Sequence, residues 1–126
     1  MRIALIGLMV FGLASFVAAE EKQADLSVRF VSIEQADFGK RLTFELTNTS
    51  GKTIDAIKGG IYFYDQFGDR IGHGLALAID EVMEADAKIQ RSGVWPVLDH
   101  RVEKLLEESP DRVTIKWRTE KVAYRE

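Results

Sequence analysis

The sequence predicts an all-β protein, a β-sandwich of six to seven short strands with one short helix before the last strand. Two observations predict this fold class. Over most of the chain apolar residues alternate with polar residues, which is the two-residue period of a strand with one buried face. Clusters of glycine, asparagine, aspartate and serine separate the alternating segments, as turns do between strands.

The first two strands show the clearest alternation, because every second residue is apolar in both. Their apolar residues are Leu26, Val28 and Phe30 in the first strand and Leu42, Phe44 and Leu46 in the second. The run 48–52 that follows has the composition of a turn, since asparagine and glycine tolerate a positive φ.

The third strand covers about residues 54–65. The pair Gly59-Gly60 in its middle predicts a bulge or a close approach of another backbone, because glycine lacks the side chain that would block either. Residues 66–69 have the composition of a tight turn.

The fourth strand, 71–79, carries large apolar residues on one face and glycine or alanine on the other. Acidic residues dominate the segment 80–86, which therefore predicts a solvated loop. A fifth strand covers 87–95 and ends at Pro96, since proline cannot continue the hydrogen-bond ladder.

The period changes near the C-terminus. Leu98, Val102, Leu105 and Leu106 form the single apolar stripe of a short helix at 99–108. Asp99 is its expected N-cap, and residues 109–111 contain the proline that ends it. A last strand covers 113–124. This series of short strands predicts an immunoglobulin-like sandwich, without the disulfide of antibody domains because the chain has no cysteine.

Residues 1–19 have the three parts of a cleavable signal peptide. Arg2 gives a basic start, an apolar run follows, and Val-Ala-Ala at 17–19 offers small residues before an acidic segment. We therefore expect an exported protein, periplasmic or secreted, in which residues 20–126 form a single domain with no stable membrane insertion after cleavage. The apolar run is also close to the length of a membrane span, so an uncleaved anchor is the alternative.

The charge of the chain argues against a nucleic-acid partner. It contains 17 basic and 20 acidic residues, which gives a formal net charge of −3. A mildly acidic protein without a basic run in its sequence gains little from releasing the counterions of a phosphate backbone. We expect neither nucleic acid nor anionic lipid as its ligand.

Part of the sequence resembles a known domain family. Residues 46–54 (Leu-Thr-Asn-Thr-Ser-Gly-Lys-Thr-Ile), residues 61–65 (Ile-Tyr-Phe-Tyr-Asp) and Gly68-Asp69 resemble the FxLYD-type immunoglobulin-like domains of bacterial exported proteins. The resemblance covers about residues 40–95, and the helix at 99–108 departs from the plainest members. It implies an immunoglobulin-like fold and an accessory module, and it implies no activity.

The residues give no recognisable catalytic set. The chain has no cysteine, and no serine lies in a Gly-x-Ser-x-Gly elbow. We therefore expect a protein that is not an enzyme and that needs no cofactor.

Two histidines and one methionine define an alternative function. His73, Met83 and His100 loosely resemble the histidine and methionine set with which periplasmic copper chaperones hold Cu(I), although no His-x-Met pair is present. A small metal-handling protein of the periplasm is therefore one alternative. A structural component of the envelope is another. For His73 the strand parity predicts a position at the rim of the core.

Tyr62 and Tyr64 are the leading candidates for a recognition surface. They alternate with Ile61 and Phe63 along the third strand. Since successive side chains of a strand point to opposite faces, Tyr62 and Tyr64 lie together on the outer face. Exposed tyrosines are typical of protein-binding surfaces, and they are equally typical cross-strand pairs that stabilise a sheet. The leading hypothesis is an exported binding or accessory module that recognises another envelope or secreted protein.

Overall fold

The computed structural model describes residues 24–126, so the predicted signal peptide and residues 20–23 lie outside the described residues. In chain order the elements are β1 (Leu26–Ala36), β2 (Gly39–Asn48), β3 (Ile54–Tyr64), β4 (Arg70–Ile79), β5 (Lys88–Trp95), α1 (His100–Glu108), a 3-10 helix (Pro110–Arg112) and β6 (Thr114–Tyr124). Within residues 24–126 no helix has the length and apolar character of a membrane span.

The strands form two antiparallel sheets of three strands each. Sheet A has the order β1-β2-β5, and sheet B has the order β4-β3-β6. The predicted β-sandwich with one short helix before the last strand is confirmed, with six strands in the part of the chain that the structure describes. Each strand of both sheets turns one face towards the core and one towards solvent.

The core lies between the two sheets. The predicted inner face of β2, formed by Leu42, Phe44 and Leu46, is at most 1% exposed. The ring of Phe44 lies 6.4 Å from that of Phe63 in sheet B and 6.3 Å from that of Trp95, measured between ring centroids. Because the chain has no disulfide, burial of this apolar surface is the main source of its stability.

Helix α1 begins where the sequence predicts. The carboxylate of Asp99 accepts hydrogen bonds from the backbone N–H groups of Arg101 at 2.9 Å and Val102 at 3.2 Å, as an N-cap does. Val102 and Leu106 of the predicted stripe are buried against the core.

Ion pairs connect α1 to both sheets. Lys40 at the start of β2 lies 2.8 Å from Glu107, and Arg101 lies 3.6 Å from Asp65 after β3. The hydrogen bond to the Glu107 carboxylate raises the pKa of Lys40. The helix therefore closes one end of the sandwich, which we name the helix end.

The opposite end is organised by one buried amide. Asn48, with no exposed surface, donates from its side chain to the carbonyl oxygens of Lys52 at 2.7 Å, Met83 at 2.9 Å and Glu84 at 3.1 Å. Its side-chain oxygen accepts from the backbone N–H and the hydroxyl of Ser50. Asn48 thus joins two loops that contain few apolar residues.

Strand β1 is longer than the alternation predicts. It continues to Ala36 and pairs with β2 through a tight hairpin at Gly39, but its register shifts between Phe30 and Ser32. A bulge of this kind adds one residue to the strand, so the side chains beyond it that would have faced the core face solvent instead, and the reverse. The alternation therefore stops after Phe30 although the strand continues.

A second irregularity changes the position of His73. Strand β4 has two more residues than β3 between the pairs at Ile61 and Phe63, and Gly72 adopts a φ of 65° in this bulge. The bulge turns His73 away from the core, and its side chain is exposed instead of lying at the rim of the core.

Candidate binding face on sheet B

The predicted pair Tyr62 and Tyr64 lies on the outer face of sheet B, on its central strand. Tyr62 is directly opposite Lys116 of β6, and Tyr64 is opposite Thr114. Both tyrosines are half-buried. Their partial burial comes from neighbours within the sheet.

The ring of Tyr62 lies flat on two glycines. A Cβ atom on Gly60 would lie 2.8 Å from a ring carbon of Tyr62, and one on Gly74 of β4 would lie 2.4 Å from another. Such distances leave no room for a side chain at either position while the ring of Tyr62 stays where it is. The ring therefore covers the backbone of β3 and β4, and its position depends on both glycines.

Cationic side chains stack on the two tyrosines. The Cζ atoms of Arg70 and Arg118 lie 4.4 Å and 5.4 Å from the ring centroid of Tyr62, and the Nζ atom of Lys116 lies 5.3 Å from that of Tyr64. These distances are within the range of cation–π attraction. A stacked guanidinium keeps its N–H groups free to bind an anion. We name these five residues the tyrosine–cation cluster.

The outer face of sheet B carries uncompensated positive charge. Lys58 lies directly opposite Lys121, an arrangement that destabilises an antiparallel pair. Glu120, in the adjoining bulge of β6, makes no ion pair with either lysine. Among residues 24–126 no carboxylate forms an ion pair with any exposed cation of this face, namely Lys58, Arg70, Lys116, Arg118 and Lys121.

The outer face of sheet A shows the opposite pattern. Arg29 lies directly opposite Glu45, and their side chains are 3.0 Å apart. Arg41 is directly opposite Glu34. Sheet A therefore places opposite charges across from each other on β1 and β2, and Arg29 and Glu45 form an ion pair, as expected where charges serve stability. The charges of sheet B need another explanation.

A shallow groove continues the face towards the end that contains Asn48. It has a volume of about 500 Å³. Apolar residues from all three strands line it, together with two lysines and one aspartate. The lining residues are Ala56, Ile57, Lys58, Ala78, Ile79, Asp80, Lys121, Val122 and Ala123.

The structure separates the residues of the metal alternative. Met83 is buried beside Ile54 at the end that contains Asn48. His73 and His100 are exposed and lie near the helix end, on either side of the contact between Gly72 and Asp99. No group of three or more histidine, cysteine, aspartate or glutamate side chains within residues 24–126 is arranged to hold a metal ion.

A hydrogen-bond network joins the first and last strands at the end that contains Asn48. The carboxylate of Asp25 accepts from the hydroxyl of Tyr124 and, at 2.6 Å, from that of Thr119, which accepts in turn from the indole N–H of Trp117 at 2.8 Å. The hydrogen bond to Asp25, together with burial, raises the pKa of Tyr124 to about 12.

This network gives a pH-dependent prediction. Because the folded pKa of Tyr124 lies above its ordinary value of 10.0, the stabilisation is present below pH 10 and is lost as the pH rises towards 12. We expect Tyr124→Phe to lower the free energy of unfolding by about 2 kcal/mol at pH 7, the value of a hydrogen bond to a charged acceptor. Denaturant titrations from pH 7 to 12 should show the difference from wild type shrinking above pH 10. Tyr64→Phe is the control, and a difference that does not change with pH would contradict the prediction.

Sequence reasoning found the tyrosines and missed the cations. Tyr62 and Tyr64 are neighbours on one strand, so parity alone predicts that they share a face. Arg70, Arg118 and Lys116 come from the two flanking strands, and only the register of those strands brings them together. The available signal was the alternation of basic residues with apolar residues in the last strand.

Comparisons of the chain with protein-family models, with curated proteins and with solved structures find no match. The resemblance to FxLYD-type domains therefore stays a prediction.

Proposed function

We propose that this protein is an exported, non-catalytic binding module that recognises a protein partner through the outer face of sheet B. The observation that supports this proposal is the tyrosine–cation cluster, in which Arg70 and Arg118 stack on one tyrosine ring and form no ion pair with a carboxylate among residues 24–126. Tyrosine and arginine are the side chains that contribute most often to binding energy at protein interfaces.

The energetics of the face favour binding over a structural role. Five like charges on one side of a sheet repel each other, and a face that served stability alone would alternate its charges as sheet A does. The chain as a whole carries a net charge of −3, whereas this face carries five exposed cations that form no ion pair within residues 24–126. A local field of this kind attracts an oppositely charged partner and orients it.

Site-specific photo-crosslinking in the cells that express the protein tests this proposal. A photoreactive amino acid replaces Thr114 on the outer face of sheet B, and the matched control replaces Thr47 on the outer face of sheet A. We expect an adduct of defined mass from position 114 and none from position 47.

Charge reversal makes the crosslinking experiment specific for the face. Adding Arg118→Glu should abolish the adduct from position 114, whereas Arg41→Glu on sheet A should leave it unchanged. Equal adducts from both sheets, or an adduct that survives Arg118→Glu, would show that a different surface binds the partner.

A further inference from the structure

The geometry points to the chemistry of the partner, and this inference rests on the proposed function. We propose that the outer face of sheet B binds an extended acidic segment of a protein partner. Carboxylates of the segment bind the tyrosine–cation cluster, and one apolar side chain of the same segment enters the groove between Lys58 and Lys121.

The groove selects an apolar side chain. Apolar residues from all three strands, three alanines among them, line the groove, and its volume of about 500 Å³ exceeds that of any single side chain. Lys58 and Lys121 also line it, and lysine covers apolar surface with its methylene stem while its ammonium group remains in water. An apolar anchor is therefore enclosed between two stems, and the ammonium groups above it attract carboxylates on either side.

The cluster selects carboxylates. Arg70 and Arg118 lie over the ring of Tyr62, with their Cζ atoms 4.4 Å and 5.4 Å from its centroid, and this contact restricts the freedom of their guanidinium groups. A guanidinium plane matches the two oxygens of a carboxylate, and less side-chain freedom is lost on binding than with an unrestrained arginine. Lys116 adds a third donor from the same side.

The space between groove and cluster matches an extended chain. Lys58 and Tyr62 are on the same strand four residues apart, or about 13 Å at the rise of a strand. An extended peptide rises by the same amount, so its apolar anchor and its carboxylates would be separated by about four residues. Ala76 and Ala78 lie exposed along this path on β4, between the groove and the Tyr62 ring that covers Gly74, and their small side chains let another backbone lie close.

These features together favour a peptide over other anions. Polyphosphate and anionic membranes offer repeated charge, but they offer no single apolar group at a fixed distance from it. A protein segment offers both, so a peptide accounts for the groove and the cluster together.

Fluorescence anisotropy with labelled synthetic peptides tests the inference on the protein purified from the cells that express it. The probe carries a leucine about four residues before a run of glutamates, in a glycine and serine background. We expect Arg118→Glu to weaken its binding by about tenfold or more, and Arg41→Glu to change it by less than about twofold. Circular dichroism and thermal unfolding confirm that both variants remain folded.

Two altered peptides separate the two parts of the site. Replacing the glutamates by glutamine should abolish binding, and replacing the leucine by glycine should weaken it by about tenfold. Ala78→Leu, which fills the groove, should remove the preference for leucine and leave the preference for glutamate.

Other results would overturn the inference. Equal binding of the glutamate and glutamine peptides would exclude carboxylate recognition. A further such result is displacement of the labelled peptide by polyphosphate or phosphatidylglycerol vesicles at a lower concentration of negative charge than the unlabelled glutamate peptide needs. That result would show that the site is selective for phosphate. Salt-sensitive self-association that Arg118→Glu abolishes would assign the face to a second copy of the chain. Each of these results leaves the crosslinking at position 114 as an independent test of the face itself.

Discussion

Replacing Asn48 with aspartate is expected to lower the free energy of unfolding by about 4 kcal/mol at pH 7. The substitution puts an oxygen where the amide of Asn48 now donates to three carbonyl oxygens, at 2.7, 2.9 and 3.1 Å. Three acceptors lose their donor, and a negative charge is buried at a position with no exposed surface. Such a loss is a large fraction of the total stability of a domain of this size.

Denaturant titration measures this effect, and its pH dependence distinguishes the mechanism. Protonation removes the buried charge and restores one donor, so the deficit of Asn48→Asp should be smaller at pH 4 than at pH 7. Gln35→Glu makes the same chemical change on an exposed side chain and should stay within about 0.5 kcal/mol of wild type. A deficit below about 1 kcal/mol for Asn48→Asp would show that water replaces the lost hydrogen bonds.

Asn48 also shows which structural features the local sequence predicts and which it does not. The composition of residues 48–52 predicts a turn, and the structure confirms that β2 ends at Asn48. The same composition does not predict that the side chain reaches Met83, 35 residues further along the chain. A contact of this kind depends on how two loops meet after both sheets have formed.

The core and the helix were predictable because each depends on a regular period. Burial of Leu42, Phe44 and Leu46 follows from alternation, and burial of Val102 and Leu106 follows from the helical stripe. Bulges interrupt the period without changing the composition. The exposed position of His73 and the continuation of β1 after Phe30 therefore required the structure.

The sequence likewise predicts one part of the candidate binding face, the tyrosines, and does not predict the other part, the cations. The alternation of Tyr62 and Tyr64 with Ile61 and Phe63 is a property of a single strand, and it predicts the outer face on which both tyrosines lie, half-buried. The charge of the face is a property of three strands in register. A chain with a net charge of −3 gives no sign of it, since these cations come from three strands that only their register brings side by side.

Gly59 and Gly60 provide a matched pair for the second large effect. A Cβ atom on Gly59 would lie 2.1 Å from the backbone oxygen of Arg118, which cannot move without breaking the pairing of β3 with β6. We expect Gly59→Ala to lower the free energy of unfolding by about 3 kcal/mol, at the upper end of the usual cost of overpacking. Gly60→Ala meets only the ring of Tyr62 and should cost less than about 1 kcal/mol, because a side chain can rotate away.

A double-mutant cycle with Tyr62→Ala separates the two obstacles. Removing the ring should relieve most of the cost of Gly60→Ala and none of the cost of Gly59→Ala, since the first obstacle is a side chain and the second is backbone. Thermal and denaturant unfolding of the six proteins in the two cycles provide the measurement. Equal costs for the two alanines would show that the backbone of β6 can shift. The cations of β6 would then be free to move relative to Tyr62. A large loss of unfolding free energy for Gly59→Ala alone would mean that β6 holds Arg118 rigidly beside the ring.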